Sequence, residues 1–230
     1  MSYSKLKIPS EIAYIIGLSL LSLGTCLMAK ADFGMSMIAA PAYLLNQLLT
    51  KTVSSFFTFG RCEIILETVV VILMCFIIGK FKIGYLFALL AGVIYGTFLD
   101  MWIFIFKDIA VVTFGIRLIY FLLGQVVTAF GIALLFKSYF PPAAYDFFVK
   151  EVSKHFDVSV PKFKTFFDLT FVIISVILSF AIFGLGHFEG INIGTVFIAL
   201  VNGTTIGIAT KIIDRFCNFY DLLEIKKLFG

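Results

Sequence analysis

Two carboxylates four residues apart, Glu63 and Glu67, interrupt an apolar run that extends from about 62 to 79. On a helix that spacing puts both acids on one face. Ionisable side chains inside an apolar helix are costly to keep and usually face a partner, a cavity or an ion path. The pair is therefore the first candidate for proton coupling, in which carboxyls take up and release protons as a carrier cycles. The competing structural reading is that Arg61, at the mouth of the run, or a neighbouring helix satisfies them.

Other polar groups suggest where a solute would sit. Gln125 and Asn202 fall near the middle of apolar runs, where an amide can donate to and accept from a solute or bond another helix. Asp146 follows the helix breaker Pro141-Pro142, and Gly34 and Ser36 occupy the corresponding stretch of the first half. These seven residues are the candidate solute-binding set. Asp168 lies four residues after Lys164, the spacing of a local helical ion pair, and stands 107 residues after Arg61, a reversal of charge. Asp100 and Lys107, near the end of a run, read as interfacial, with Asp100 also placed to gate an entrance.

Enzyme chemistry is poorly represented. His155 and His187 lie in separate connecting stretches and form no dyad, and no H-E-x-x-H, G-x-S-x-G or phosphate-loop motif occurs. Cys26, Cys62, Cys75 and Cys217 have no zinc or C-x-x-C spacing and mostly lie in apolar runs, so neither a disulfide nor a metal site is expected. The expectation is a protein with no catalytic residues, no metal and no cofactor.

The elements that must hold these residues are membrane helices. Hydrophobic residues make up 61% of the 230 and charged ones 14%, against about 25% charged in an ordinary soluble domain. A bilayer core about 30 Å thick takes roughly 20 apolar residues of helix. Six runs qualify: about 12–30, 62–79, 83–106, 114–136, 165–185 and 191–212. Lys5 and Lys7 before the first run loosely resemble a signal sequence, but the run is long for one and is expected to stay as a span. Lys and Arg divide 13 to 5 between the two sides of six spans. By the excess of positive charge on cytoplasmic flanks, both termini are expected inside, in a multi-pass cell (inner) membrane protein. The net charge of +4 then describes a membrane-facing surface, and nucleic acid is not an expected partner.

The chain also matches itself. Offset by 107 residues without gaps, 15 of the 81 pairs from Gly17 to Thr97 are identical, among them Gly17/Gly124, Gly24/Gly131, Lys30/Lys137, Phe33/Phe140 and Gly96/Gly203. Internal symmetry in an apolar chain is a mark of transporter architecture. With three spans per repeat, the second enters the bilayer from the opposite side. The expected fold is a single all-α membrane domain over 1–230: repeat one at about 12–110, an inverted repeat two at about 114–215, and an amphipathic helix at about 212–230 on the inner leaflet. Each first span ends in a breaker, at Gly34 and at Pro141, followed by a helix too short to cross, about 36–50 and 142–156. These half-helices either dip back into the protein or lie at the interface. Small residues four apart, Gly92 and Gly96 in the third span and Gly203 and Gly207 in the sixth, predict that these two spans pack closely on each other.

A first span closing on Ala31-Asp32-Phe33-Gly34, Pro142 shortly before Asp146, and Ile193-Gly194-Thr195-Val196 with Gly203 downstream together resemble the YitT/YczE/YyaS group of bacterial integral membrane proteins. The resemblance covers nearly the whole chain and implies a polytopic inner-membrane protein whose biochemical activity is poorly defined. Relatives tend to carry a Trp-Asp or similar acidic pair after the first breaker, where this chain has Ser36-Met37-Ile38-Ala39, so Asp146 stands alone.

The sequence thus points to a small-solute secondary transporter, proton-coupled through Glu67 and Glu63. The alternatives are a non-transporting scaffold or regulator, and a solute-binding subunit of a larger energised transporter. The expected partners are the lipid bilayer, an unknown small solute, and a second copy or a cytoplasmic protein.

Overall fold

The computed structural model describes residues 6–184 and 190–222. His187, Lys5, Lys226 and Lys227 lie outside the described residues. Eight helices follow a short strand: β1 (Leu6–Pro9), α1 (Ser10–Ala31), α2 (Ala40–Thr52), α3 (Phe59–Ile78), α4 (Ile83–Phe106), α5 (Phe114–Leu135), α6 (Ala144–His155), α7 (Val160–Phe183) and α8 (Ile193–Phe216), with β2 (Cys217–Tyr220) after them. The order long, short, long, long occurs twice.

Among the described residues, five helices, α1, α4, α5, α7 and α8, are long and apolar enough to cross a membrane. The protein is a polytopic all-α membrane protein. Six spans were expected; the one outside these five is the second run, α3. It has 20 residues, but Arg61, Glu63 and Glu67 fall in its first half and set it apart from the other five. α2 and α6, of 13 and 12 residues, are about 20 Å long at 1.5 Å per residue and cannot cross alone.

The most extensive packing is between α1 and α5, flanked by α4 on α1 and α8 on α5. Glycines make it close. A Cβ on Gly17 would lie 2.9 Å from the Gly131 carbonyl oxygen, and one on Gly24 would lie 2.7 Å from that of Gly124. The start of one helix therefore lies against the end of the other. The short helices cross between halves: α2 packs on α7, and α6 packs on α3. α6 buries Tyr145, Phe147, Phe148, Val149 and Val152 against Val70, Val71 and Met74 of α3, Tyr85 and Ala88 of α4, and Phe167 and Phe171 of α7. Its apolar face thus lies against protein.

Three expectations are corrected. The glycines of α4 pack on α3 and not on α8: Gly96 lies against Gly60 and Ile64, and Gly92 against Glu67. Among the described residues, no atom lies within 4 Å of a Cβ added at Gly203 or Gly207. The reason is that α1 and α5 occupy the centre, keeping α4 and α8 on its flanks. Second, the short helices begin later than expected: α6 at Ala144, after both prolines and not at 142, and α2 at Ala40, four residues after Ser36. The Ser36 carbonyl accepts from the Ala39 and Ala40 amides at 3.1 Å, so 36–39 form a turn that leads into the helix. Third, the chain does not continue as a helix after Phe216. Cys217–Tyr220 pair in parallel with Leu6–Pro9, Leu6 opposite Cys217 and Pro9 opposite Tyr220. Residues 223–230 lie outside the described residues. Ser10 Oγ donates to Asp221 Oδ1 at 2.8 Å and the Leu222 amide to Glu11 Oε1 at 2.9 Å, so the start of α1 and the end of α8 are tied together.

Candidate functional site

α3 begins at an unusual cap. Asp100, at the far end of α4, accepts from the Gly60 amide at 2.8 Å through Oδ1 and from the Thr58 hydroxyl at 2.5 Å through Oδ2. The first-turn amides of a helix lack partners in their own helix, and a carboxylate there supplies one together with charge complementary to the helix dipole. Asp100 thus anchors α3 alongside α4 in antiparallel register. Asp100→Ala is expected to lower stability by about 1–2 kcal/mol, the usual value of a lost cap, seen as a lower unfolding temperature in detergent. An unchanged temperature would remove Asp100 from this role.

This register carries Glu63 and Glu67 into the interior. They are 1% and 2% exposed, among the most enclosed side chains of the protein. Glu63 Oε2 accepts from the Tyr145 hydroxyl at 3.0 Å, a bond from the second half of the chain to the first. Glu67 Oε2 has no hydrogen-bond partner among the described residues. Its carboxyl fills the notch left by the missing side chain of Gly92, where an added Cβ would collide with Oε2 and lie 2.7 Å from Cδ.

Tyrosines complete the cluster, and no spacing in the sequence pointed to them. Tyr95 of α4 donates to Thr25 Oγ1 of α1 at 3.0 Å, and Tyr14 of α1 donates to the Pro141 carbonyl at 2.8 Å. Tyr14, Tyr95 and Tyr145 all lie within electrostatic range of Glu67, and Tyr95 and Tyr145 also of Glu63. The only sequence sign was the tyrosines themselves, polar-tipped residues inside apolar runs, which when buried find a hydrogen-bond partner.

The other candidates fall in separate places. Arg61 is turned away from the acids: Nη1 donates to the Phe56 carbonyl at 2.6 Å and the guanidinium lies 4.0 Å from the Phe56 ring centre. Lys164 pairs with Asp168 at 3.0 Å, as its spacing suggested, and at the same distance with Asp146, joining α6 to α7. Gln125 Nε2 donates to Asn202 Oδ1 at 3.1 Å and to Thr205 Oγ1 at 3.0 Å, so these amides are engaged across α5 and α8. Gly34, at φ +99°, closes on the start of α8, where a Cβ would lie 2.9 Å from the amides of Asn192 and Thr195. The Phe33 carbonyl accepts there from the Gly194 amide at 2.9 Å. The first breaker is thus a cap for α8. Ser36 is used in the turn before α2. Pro141 and Pro142, of the solute-binding set, line an open cleft.

Two clefts lie at opposite ends of α4. One, of about 470 Å³, is lined by Asn46, Thr50, Thr58, Asp100 and Lys107. The other, of about 880 Å³, is lined by Lys82, Tyr139, Pro141, Pro142, Lys150 and Glu151, with others. The acid pair sits on α3 between the levels of the two, and Pro141, in the lining of the larger one, accepts from Tyr14 of α1. Chemically, the arrangement holds an enclosed carboxyl with an open valence for a proton, beside hydroxyls that donate and accept.

No curated protein and no solved structure matches the chain. The likeness to the YitT/YczE/YyaS group holds at the level of the broader YitT-like superfamily. The family model DUF6198, described as a family of unknown function, matches residues 8–211, and the chain belongs to that family.

Proposed function

We propose that this protein is a proton-coupled secondary transporter of a small solute, built from two inverted three-span repeats, with α3 crossing as well as the five longer apolar helices. The observation that carries the reading is Glu67: a carboxyl 2% exposed, with one oxygen unpartnered, at a place where both halves of the chain converge. A group so costly to enclose is kept for use, and in a membrane its ordinary use is to carry a proton. No enzymatic step belongs to this reading.

The architecture is supported by paired contacts. Gly17 with Gly131 and Gly24 with Gly124 are the same contact under exchange of halves, as a two-fold axis requires. The β1–β2 pairing keeps the start of α1 and the end of α8 on one face, which needs an even number of crossings; five would separate them. Ion pairs agree with the charge-based topology. Lys82 with Glu151, Lys137 with Asp214 and Lys164 with Asp146 join groups assigned to the cytoplasmic side, while Arg117 with Asp32 joins groups assigned to the other. Both termini are then cytoplasmic, in the inner membrane.

A second reading, a subunit that docks another helix or a second copy, is favoured by one feature, the open Gly203 and Gly207 face of α8. A thermal-shift scan of the purified protein against a metabolite collection, followed by uptake of each hit into proteoliposomes, separates the two. Transport predicts at least one stabilising solute that is taken up with protons. A flat scan with stable dimerisation through α8 would replace it with the docking reading.

A further inference from the structure

The larger cleft has a chemistry of its own. It lies where the second breaker, the start of α4 and the outer face of α6 meet. Three of its lining residues are lysines, Lys82, Lys150 and Lys154, and Glu151 is the one acid among them. Glu151 is already engaged, at 2.5 Å from Lys82 Nζ. Lys150 and Lys154 therefore give the cleft a net positive charge. α4, 24 residues long, opens into it at Ile83 with no side-chain cap, so its first-turn amides and the positive end of its dipole add to the same field. Other acids nearby are committed: Glu11 accepts from Tyr139 at 2.7 Å, and Asp146 is paired with Lys164 on the α7 side of α6.

We infer that this cleft binds a phosphate-bearing ligand, with Lys150 and Lys154 as the charge-bearing contacts and the start of α4 as the amide donor. Lysine ammoniums bind phosphate oxygens as point charges, and the first-turn amides of a helix are a recurrent phosphate contact, so lysines beside the start of α4 suit a phosphate. The volume of about 880 Å³ admits a small phosphoester or a lipid headgroup. The inference deepens the transport reading and rests on it in one respect: the cleft would be the solute site, with Pro141 of its lining accepting from the Tyr14 hydroxyl of α1.

The test compares wild type with Lys150→Gln/Lys154→Gln, and with Lys51→Gln/Lys162→Gln as a control that removes equal charge elsewhere. Binding of inorganic phosphate and glycerol phosphate is measured by titration calorimetry in neutral detergent. Stabilisation is measured in nanodiscs of phosphatidylcholine with and without phosphatidylglycerol. The expected result is saturable binding or stabilisation in at least one arm, weakened about tenfold or more by the cleft variant alone, a loss that corresponds to about 1.4 kcal/mol. Loss confined to the soluble ligands identifies a free phosphoester; loss confined to phosphatidylglycerol identifies a headgroup. Equal weakening in the control, or no binding in either arm, overturns the site. Binding with no accompanying uptake would leave the site standing and remove the transport reading; uptake indifferent to both lysines would do the reverse.

Discussion

Glu67→Gln, reconstituted at wild-type yield, is expected to reduce solute-driven proton movement at least tenfold, to the level of protein-free liposomes, as read by an entrapped pH-sensitive dye. The amide has nearly the shape of the carboxyl, so it fits the notch above Gly92 and should leave folding intact. It cannot exchange a proton in the same way. Gly92→Ala reaches the same residue by another route: the added methyl occupies the space of Oε2 and displaces the carboxyl, so proton movement should fall although both acids remain. Glu63→Gln should be milder, since a glutamine oxygen still accepts from Tyr145. A folded Glu67→Gln protein that moves protons as wild type does would end the coupling assignment and return the pair to a structural role.

The largest expected effect on stability comes from glycines that the internal match aligns. Gly96→Ala should destabilise the protein by about 1–3 kcal/mol or more, the range for overpacking, because its Cβ would lie 2.5 Å from the Gly60 carbonyl oxygen and 2.7 Å from Ile64 Cγ1. Backbone cannot step aside as a side-chain tip can, so α3 and α4 would separate and carry the acid pair with them. Gly203→Ala, the equivalent change in the second repeat, should shift the unfolding temperature little, because nothing lies within 4 Å of its Cβ. Folded yield and thermal unfolding in detergent decide the comparison. Equal sensitivity at both positions would mean that α8 is packed as α4 is, by a partner helix.

The asymmetry between these two glycines marks the limit of what repeats convey. A chain of 230 residues with mean hydropathy +1.08 must place its apolar helices in a bilayer, and helix length, breaker residues and the 107-residue match are all local or periodic properties. They located five long apolar helices, both short helices and the charged run of α3 to within a few residues. The Lys164–Asp168 pair was legible for the same reason, since both partners lie on one helix.

The site was legible only in part. Glu63 and Glu67 stood out because charge in an apolar run is conspicuous wherever the run folds. Their surroundings depended on which helices met. Tyr145 reaches Glu63 from 82 residues away and Tyr95 reaches Thr25 from 70, distances over which spacing carries no information. The same holds for Asp100, an interfacial acid by position that becomes the cap of α3 because α4 runs antiparallel beside it. It holds as well for Cys217–Tyr220, a continued helix by periodicity that becomes a strand because Leu6–Pro9 lies within reach to pair with it. By itself the sequence determined the membrane, the order of the helices and the presence of an enclosed acid pair, because burial of apolar length and the cost of charge act on each segment alone. The tertiary structure decided the partners of those acids and which glycines are filled, because backbone approach and hydrogen bonding exist only between segments that packing has brought together.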